Sequence, residues 1–559
     1  MTDAQITAEL DPSDPYSRAA QTFPVLSDEM ACRVAAFGVE ETLPAGTYVF
    51  ERGQRSVDFF LLREGCIEIL DVDCEGDPNI IHTHRQHQFT GELDLFNNRQ
   101  ILVSGRTGED SRVVRIKRPD FRRLVTAEPD IGEIIMRAFI LRRVGLIRHG
   151  QGGVSVVGSG HGADTLRIER FLMRNAYPHR MLDTDRDEDA GGFMECFELT
   201  PADLPVVIAP DHSVLRNPSN ADLADALGLT EAIDPNVVYD LAVIGAGPAG
   251  LAAAVYGASE GLSTIVIEAL APGGQAGTSS KIENYLGFPT GISGQALAGR
   301  AQVQAQKFGA RLAISRPAVG IRRNGESYHL ALEGGNGLSA RAVVVATGAR
   351  YRKLDVENYD KYEGQGIHYA ATAMEAQLCM NEEICVVGGG NSAGQAAIYL
   401  SRHARHVYIL VRSNGLAASM SDYLIQRIEA SPRITLLCET EITGLNGEDM
   451  LREVTWTNRA SDAAETKRMG NVFVMIGAQP NTDWLKDCLD LDDKGFVLTG
   501  ADAATEERAG LMSPYCTSQP GVFAVGDVRA GSVKRVASGV GEGSVVVQAI
   551  HRYLNPQPA

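Results

Sequence analysis

One stretch, residues 239–268, constrains the fold of this chain more than any other feature. It begins within Val238–Ile244, a short apolar run rich in β-branched residues that is typical of a buried parallel strand. The run leads into Gly245-Ala-Gly-Pro-Ala-Gly250, a small-residue helix, and a second strand that ends on an acid. Such a turn presents helix N–H groups to a pyrophosphate. The stretch therefore predicts a dinucleotide-binding βαβ unit.

Each glycine of this turn, and the acid that ends the second strand, has its own expected role. Gly245 permits the tight turn, Gly247 lets the backbone approach a pyrophosphate, and Gly250 lets helix and strand pack closely. Glu268, at the end of the second strand, is expected to accept a ribose hydroxyl. The alternative is an ordinary tight turn between a strand and a helix, with no nucleotide bound.

Size and charge exclude several classes of protein. The chain has 559 residues and a formal net charge of −19. Its length allows about three or four domains, and its charge argues against a broad nucleic-acid or anionic-membrane surface. Residues 1–20 carry no basic n-region or apolar h-region, and no apolar run is long enough to span a bilayer. We therefore expect a cytoplasmic protein.

The nine cysteines form no familiar motif. No two of them have CxxC spacing, and the closest pair is Cys379 with Cys385. This pattern is neither that of a zinc site nor that of a disulfide framework. We expect no metal site and buried or incidental thiols.

Residues from about 23 to 123 indicate a small β-barrel with helices at its end. The predicted strands, separated by glycines, are residues 46–50, 58–62, 66–70 and 112–116. Residues 130–147 have apolar side chains at helical spacing and would close a domain that we place at residues 1–147.

The order of these elements resembles a cyclic-nucleotide-binding domain of the catabolite-activator type. The matching segments are Phe50-Glu-Arg-Gly53, Phe60-Leu-Leu-Arg-Glu-Gly65 and Gly91-Glu-Leu93. In that family a Glu accepts the ribose hydroxyl and an Arg pairs with the cyclic phosphate, which makes Glu92 and Arg99 the candidates here. Arg99 is followed by Gln100 and Ile101 where the family has two small residues. The alternative is a barrel kept as a regulatory or dimerisation module.

A second unit follows the glycine-rich break at residues 148–153. We predict strands at residues 154–157, 177–182 and 204–208, and helices at residues 164–176 and 220–227. The pattern resembles the thioredoxin/glutaredoxin fold, with Pro205 where that family carries its cis-proline. The loop that would hold the redox motif, residues 158–164, contains no cysteine. Residues 154–229 are therefore expected to form a redox-silent adaptor.

From residue 237 onward the chain is similar to the low-molecular-weight thioredoxin-reductase family. The matching motifs are Gly245-Ala-Gly-Pro-Ala-Gly250, Pro272-Gly-Gly-Gln275, Glu283-Asn-Tyr-Leu-Gly-Phe-Pro289, Ala346-Thr-Gly348, Gly388-Gly-Gly-Asn-Ser-Ala393, Gly521-Val-Phe-Ala-Val-Gly-Asp527 and Arg535-Val-Ala537. The resemblance implies an FAD-binding domain at residues 237–356 and 480–559, with an NAD(P)-binding domain at residues 357–479 between its halves. The expected fold is α/β and multidomain: two Rossmann-like domains preceded by the barrel and the thioredoxin-like domain.

The same resemblance implies which residues hold each nucleotide. Asp527 would hydrogen-bond the ribitol, and the backbone at Val536 and Ala537 would face the N1/O2 edge of the flavin. The implied FAD residues are Gly245, Gly247, Pro248, Ala249, Gly250, Glu268, Gly274, Gln275, Asn284, Thr347, Gly348, Gly526, Asp527, Arg535, Val536 and Ala537. The implied NAD(P) residues are Gly388, Gly390, Asn391, Ser392, Ala393 and Arg412.

The residues after the second NAD(P) strand bear on the choice of nicotinamide. An acid there favours NADH through the ribose 2′-OH, and a basic residue favours NADPH through the 2′-phosphate. Here the strand is followed by Val411-Arg412-Ser413, with no acid. Members of the family usually carry further arginines where this chain has Ser413 and Ala417. The sequence favours NADPH through Arg412 and leaves NADH open.

The redox-active CxxC of thioredoxin reductases is missing from this chain. The matching stretch is His368-Tyr-Ala-Ala-Thr-Ala-Met-Glu-Ala376, with alanine at both cysteine positions, Ala370 and Ala373. Alanine forms neither a mixed disulfide nor a flavin adduct. Glu375 and His368 flank these positions and are the candidate proton donors. The alternative is that Glu375 is only an acid at the start of a helix and His368 only a histidine in a loop.

Three functions remain open from the sequence. The first is an FAD-dependent NAD(P)H oxidoreductase, regulated through its N-terminal domain, whose acceptor is dioxygen, a quinone, a dye-like molecule or a partner protein. The second is a sensor that binds FAD and NAD(P)H with little turnover. The third, thioredoxin-disulfide reduction, follows from the family name alone and requires that Cys379 and Cys385 replace the missing pair. The resemblance also implies a homodimer through the FAD domain.

Overall fold

The computed structural model describes residues 14–72, 78–91, 99–149, 151–187, 189–279, 282, 284–335, 337–363, 365–369, 371, 373–417, 420–448, 450–485, 487–503 and 513–555. The chain divides into two compact units. The first is Met1–Ala232 with Ala313–Ser315, and the second is Ile233–Leu312 with Arg316–Ala559.

The N-terminal part of the first unit contains two four-stranded antiparallel sheets. One has the order Val39–Leu43, Ser111–Ile116, Phe59–Glu64, Phe89–Thr90, and the other Tyr48–Phe50, Ser104–Thr107, Ile67–Val72, Pro78–His84. Its helices are Ala19–Thr22, Asp28–Ala35, Arg118–Ala127 and Pro129–His149. The core contains stacked aromatic rings, with Phe59 5.5 Å from Phe89 and 5.1 Å from Phe121 between ring centroids. The predicted closing helix and all four predicted strands are confirmed, with shifts of one or two residues at their ends.

The C-terminal part of the first unit has a four-stranded mixed sheet. Its strands are adjacent in the order His179–Asp183, Val154–Gly158, Val206–Ile208 and Val214–Arg216. The first pair is parallel and the other two are antiparallel. The helices are Ala163–Arg174, Asp189–Cys196 and Asn220–Ala226. The predicted strands and helices are confirmed, and the Leu204–Pro205 peptide bond is cis; Asp189–Cys196 and Val214–Arg216 were not predicted.

The larger sheet of the second unit carries the predicted dinucleotide-binding turn. Thr264–Glu268, Val238–Ile244, Gly337–Val345 and Val522–Ala524 pair in parallel in that order. Antiparallel strands Ser327–Leu332 and Ala318–Asn324 extend the sheet beyond Gly337–Val345. Further elements are strand Arg311–Ile314 and helices Pro248–Ser259, Gly294–Lys307 and Val536–Leu554. The parallel arrangement places the ends of four strands at one edge, where the turns that follow them meet.

Helices Pro248–Ser259 and Val536–Leu554 pack closely through small residues. A Cβ on Gly543 would lie 2.1 Å from the carbonyl oxygen of Ala249. Only glycine therefore allows these two helices to approach each other at this point. The contact fixes the start of the first helix, which carries the turn, against the last helix of the chain.

A second, five-stranded parallel sheet is inserted between the halves of the larger one. Its order is Ile367–His368, Val472–Val474, Glu383–Val387, His406–Leu410 and Ile434–Leu437. Its helices are Tyr359–Tyr362, Ala373–Leu378, Asn391–Leu400 and Asp422–Glu429. An antiparallel sheet of Thr440–Asn446, Glu453–Asn458 and Ala464–Arg468 shares a hydrophobic core with it. The two chain crossings between the sheets, Ala349–Tyr351 and Ala478–Pro480, pair with each other in antiparallel fashion.

No helix in the described part of the chain has the length and apolar character needed to cross a membrane. The same residues contain no group of three or more His, Cys, Asp and Glu side chains that could hold a metal ion.

Candidate nucleotide-binding cavity

A cavity of about 750 Å³ lies in the second unit. Its wall is formed by turns that follow the parallel strands of both sheets and by the first residues of helices Pro248–Ser259 and Asn391–Leu400. All of the predicted FAD residues line it except Gly250. The structure thus brings residues from six separate sequence motifs to one place.

The glycines of the first turn differ in what surrounds them. Gly245 has a φ of 105°, and a Cβ there would lie 2.3 Å from the Ala346 carbonyl oxygen. At Gly250 a Cβ would lie 1.8 Å from the Gly245 carbonyl oxygen, so this glycine allows helix and strand to pack. At Gly247 a Cβ would meet only the Gly274 Cα, at 4.0 Å. This last position opens onto the cavity, as the close approach of a pyrophosphate requires.

Glu268 is oriented by the backbone around it. Its Oε2 accepts a hydrogen bond from the N–H of Ala246 at 2.7 Å, and its Oε1 accepts one from Leu270 at 2.9 Å. A carboxylate oxygen accepts more than one hydrogen bond, so this orientation still fits a ribose hydroxyl. Gln275, another predicted FAD residue, donates from its side-chain amide to the carbonyl of Ala349.

Glu542 supports the turn that presents Asp527. One oxygen of Glu542 accepts from the Gly526 N–H at 2.6 Å, and Arg529 donates to both oxygens at 3.1 and 2.9 Å. Burial raises the pKa of the Asp527 carboxyl; Lys534 lowers it, and the charge of Glu542 raises it further. Sequence reasoning missed Glu542 because it lies within the last helix, outside the recognised motifs.

The second glycine turn reaches the same cavity. Gly388 has a φ of 139°, and a Cβ there would lie 2.2 Å from the Met475 carbonyl oxygen. Asn391 and Ser392 line the cavity, and the Oδ1 of Asn391 accepts from the N–H of Ser421 at 2.7 Å. The other predicted NAD(P) residues are not part of the lining: Gly388, Gly390, Ala393 and Arg412. Arg412 is exposed, two residues beyond the strand.

The region of the missing CxxC borders the cavity, although Ala370 itself lies outside the described residues. Its described neighbours Tyr369 and Ala371 are part of the wall. His368 is buried, with its Nε2 2.8 Å from the Oδ1 of Asn471, and Glu375 is also buried. Neither predicted proton donor lines the cavity.

Sequence reasoning missed a pair of stacked tyrosines in the cavity wall. The rings of Tyr351 and Tyr369 have centroids 5.2 Å apart and an angle of 6° between their planes. Both residues line the cavity. Their positions gave a usable signal, because Tyr351 follows the Ala346-Thr-Gly348 motif closely and Tyr369 directly precedes the first alanine that replaces a cysteine.

Cys379 and Cys385 are fully buried and do not line the cavity. Burial raises the pKa of the Cys379 thiol to about 12, and the charges of Glu382 and Glu375 contribute to that rise. Burial also raises the pKa of Cys385 strongly. Thiols of this kind are protonated at neutral pH and react slowly.

In the first unit, the predicted cyclic-nucleotide residues are only partly described. Glu92 lies outside the described residues. Arg99 is 5% exposed, and its Nη1 lies 3.4 Å from the carbonyl oxygen of Asn175. Its pairing with a cyclic phosphate stays a prediction.

Residues 239–543, more than half of the chain, match the family model described as pyridine nucleotide-disulphide oxidoreductase. This chain belongs to the pyridine nucleotide-disulphide oxidoreductase family. Residues 40–128 match the cyclic nucleotide-binding domain. The two matches confirm the predicted combination of a thioredoxin-reductase-like region with an N-terminal cyclic nucleotide-binding domain.

Thioredoxin reductases are among the proteins and solved structures to which this chain is similar. The chain is 33% identical over 320 residues to the thioredoxin reductase of Streptomyces clavuligerus, covering 57% of this chain and 94% of that protein. The Lactococcus lactis thioredoxin reductase structure in its FR conformation has a TM-score of 0.51 and 28% identity, covering 56% of this chain and 99% of that one. The T. acidophilum thioredoxin reductase structure has a TM-score of 0.51 and 26% identity, covering 56% and 97%. Thioredoxin reductases use FAD and NADPH, the two cofactors predicted for this chain.

Proposed function

We propose that this protein is an FAD-dependent NAD(P)H oxidoreductase that passes electrons to an acceptor other than a thioredoxin disulfide. The observation that carries the proposal is the lining of the cavity. Both glycine turns contribute to it, through Gly247 and Asn391, and no cysteine is among its described lining residues. Hydride transfer between two bound cofactors needs both of them in one cavity, close to each other.

The residues of this chain would bind and orient the two nucleotides. A flavin bound there would supply the two-electron chemistry, namely hydride acceptance from a nicotinamide and onward transfer to an acceptor. The turn at Gly245–Gly250 and Glu268 would hold its adenosine and pyrophosphate, and Asp527 would hold its ribitol. Asn391 and Ser392, at the start of their helix, would orient the second nucleotide through the helix N-terminus. Because this chain has no dithiol that must alternate with the nicotinamide at the flavin, the proposal includes one fixed arrangement of the two domains.

The burial of Cys379 and Cys385 argues against disulfide exchange through this pair. Exchange requires an exposed thiolate that can attack the disulfide of a partner protein. Cys379 and Cys385 are buried, have raised pKa values and lie away from the cavity wall. Alanine occupies both positions at which the similar family has its redox cysteines.

We infer regulatory or adaptor roles for the two parts of the first unit. The match at residues 40–128 supports a cyclic-nucleotide-type regulatory domain within residues 1–147. For residues 154–229, the sheet order and the pairing of one parallel with two antiparallel neighbours support a thioredoxin-type module. The loop at residues 158–164 contains no cysteine, so this module would be redox-silent.

The proposal is tested by anaerobic mixing of the FAD-loaded full chain with NADPH and, separately, NADH. We expect the visible absorbance of the flavin to bleach, and steady turnover with ferricyanide but not with oxidised thioredoxin. Reduction of oxidised thioredoxin would contradict the proposed class of acceptor. A flavin that stays oxidised with both nucleotides, with and without cyclic AMP and cyclic GMP, would contradict the oxidoreductase function and favour the sensor.

A further inference from the structure

Two tyrosines in the cavity wall stack on each other, so that each ring covers one face of the other. Tyr351 and Tyr369 are nearly parallel, with a ring-centroid distance of 5.2 Å. Tyr369 belongs to the stretch in which the similar family has its redox cysteines, and Ala371, which also lines the cavity, follows it. An aromatic surface thus borders the cavity where electrons would leave a dithiol-bearing enzyme.

Hydrogen bonds hold the tyrosine hydroxyls. The Oη of Tyr369 donates to the Oε1 of Glu363 at 2.8 Å and accepts from the Oη of Tyr359 at 3.1 Å. Lys353 pairs with the other oxygen of Glu363 at 2.5 Å. These contacts fix the orientation of the Tyr369 ring. Because the Tyr369 hydroxyl is already hydrogen-bonded, a ligand can contact the face of the ring.

The second ring is fixed by the backbone of the chain crossing. Tyr351 ends the strand Ala349–Tyr351, which pairs with Ala478–Pro480. Its Oη lies 3.4 Å from the Oγ1 of Thr278, another lining residue. Both rings are therefore held in place before any ligand binds, which lowers the entropy lost on stacking.

We propose that an outer ring face of the Tyr351–Tyr369 stack binds a planar, conjugated two-electron acceptor of the quinone class. The inference rests on the proposed function and names its acceptor. A flat uncharged ring stacks in offset fashion on aromatic side chains, whereas dioxygen and a protein disulfide gain little from such a surface. The reaction balances as NAD(P)H plus quinone plus one proton giving NAD(P)⁺ plus hydroquinone. The hydride supplies two electrons and one proton, and solvent supplies the second proton.

The first test measures binding without any nicotinamide. The oxidised FAD-loaded full chain is titrated with 1,4-naphthoquinone, and bound ligand is measured by equilibrium dialysis. We expect saturable binding, with Kd raised about tenfold in Tyr351→Ala and in Tyr369→Ala, because one ring is the stacking partner and the other holds that ring in place. Tyr369→Phe keeps the ring and should bind nearly as the wild type does. Tyr256→Ala is the matched control, because Tyr256 is exposed on helix Pro248–Ser259 and does not line the cavity.

The second test compares two acceptors in turnover. In both alanine variants, kcat/KM for 1,4-naphthoquinone should fall relative to kcat/KM for ferricyanide, while Tyr256→Ala leaves the ratio unchanged. Absence of saturable quinone binding in the wild type, or equal binding by the alanine variants, would overturn the inference. Failure of NAD(P)H to reduce the flavin would instead overturn the proposed function, and the dialysis result would not depend on it.

Discussion

Gly245 and the carbonyl of Ala346 lie so close together that no side chain fits between them. A Cβ on Gly245 would be 2.3 Å from that oxygen. The N–H of Ala346 in turn donates to the carbonyl of Ile244 at 2.7 Å. The two turns that follow strands Val238–Ile244 and Gly337–Val345 are thereby locked together at the wall of the cavity.

We expect Gly245→Ala to yield protein that has lost most of its FAD. The left-handed φ of 105° alone costs an L-residue about 1–2 kcal/mol, and the collision with Ala346 would displace the turn. Gly261→Ala is the matched control, since Gly261 has a φ of 90° but nothing lies within 4 Å of its Cβ. Flavin content per purified chain measures the difference. Equal flavin content in the two variants would show that the close contact is not needed for binding.

Glu542→Gln should weaken FAD binding and lower thermal stability. Arg529 and Glu542 are both mostly buried, with side-chain exposures of 16% and 12%. Loss of one charge of a buried pair costs about 3–5 kcal/mol in general, and here it also loosens the turn before Asp527. Titration of the FAD-free chain with FAD measures the effect. Arg405→Gln is the control, because Arg405 is 67% exposed and lies 3.4 Å from Glu383. Unchanged FAD affinity in Glu542→Gln would contradict the role given to the Arg529–Glu542 pair.

Motifs with local periodicity could be predicted from the sequence to within one or two residues. Strands Val238–Ile244, Glu383–Val387 and His406–Leu410 were placed correctly because they are short, apolar and bounded by glycine or charge. Gly250 was expected to serve packing, and it is the one predicted FAD residue that the cavity lining lacks. Local pattern and backbone sterics were sufficient for these elements.

Features that depend on long-range pairing could not be predicted. Strand Val214–Arg216 has only three residues, too few to show a periodic pattern, and it is defined by its antiparallel pairing with Val206–Ile208. The Tyr351–Tyr369 stack joins residues from two separate stretches, which only the folded chain brings together. The predicted proton donor His368 lies on the edge strand of its sheet, and it is buried there by contacts with Asn471 and Phe473 from distant parts of the chain. Sequence spacing contains none of this information.

Arg412→Ala should raise KM for NADPH about tenfold with little effect on KM for NADH, since a charged hydrogen bond to a phosphate contributes about 1.5–3 kcal/mol. Arg412 is exposed just beyond strand His406–Leu410, where the 2′-phosphate of a bound nucleotide would lie. Arg405→Ala is the matched control, because Arg405 precedes the same strand at its other end. Steady-state kinetics with ferricyanide measure both constants. Equal changes for NADPH and NADH would contradict a contact with the 2′-phosphate.

Two histidines on strand Pro78–His84 of the first unit are held in a neutral state. His82 stacks on Phe23 with ring centroids 3.6 Å apart, and His84 is 2% exposed on the same strand. Burial lowers the pKa of His82 to about 4, and the nearby charge of Arg142 lowers it too. The same two causes hold the pKa of His84 well below its ordinary value, with His82 adding to them.

The strand Pro78–His84 should therefore lose stability on acidification. Between about pH 6.5 and about pH 4 the unfolded chain binds protons that the folded chain does not, so the free energy of opening falls as pH falls. Amide hydrogen exchange of this strand, corrected for intrinsic rates, measures the change. His82→Phe keeps an aromatic ring on Phe23 and removes one titrating group. For each pH unit of acidification, the protection factor of this variant should therefore fall by about tenfold less than that of the wild type. His161→Phe is the control, because His161 is an exposed histidine of the same unit, and it should retain the wild-type pH dependence. The same change of protection with pH in all three proteins would show that His82 is not the titrating group.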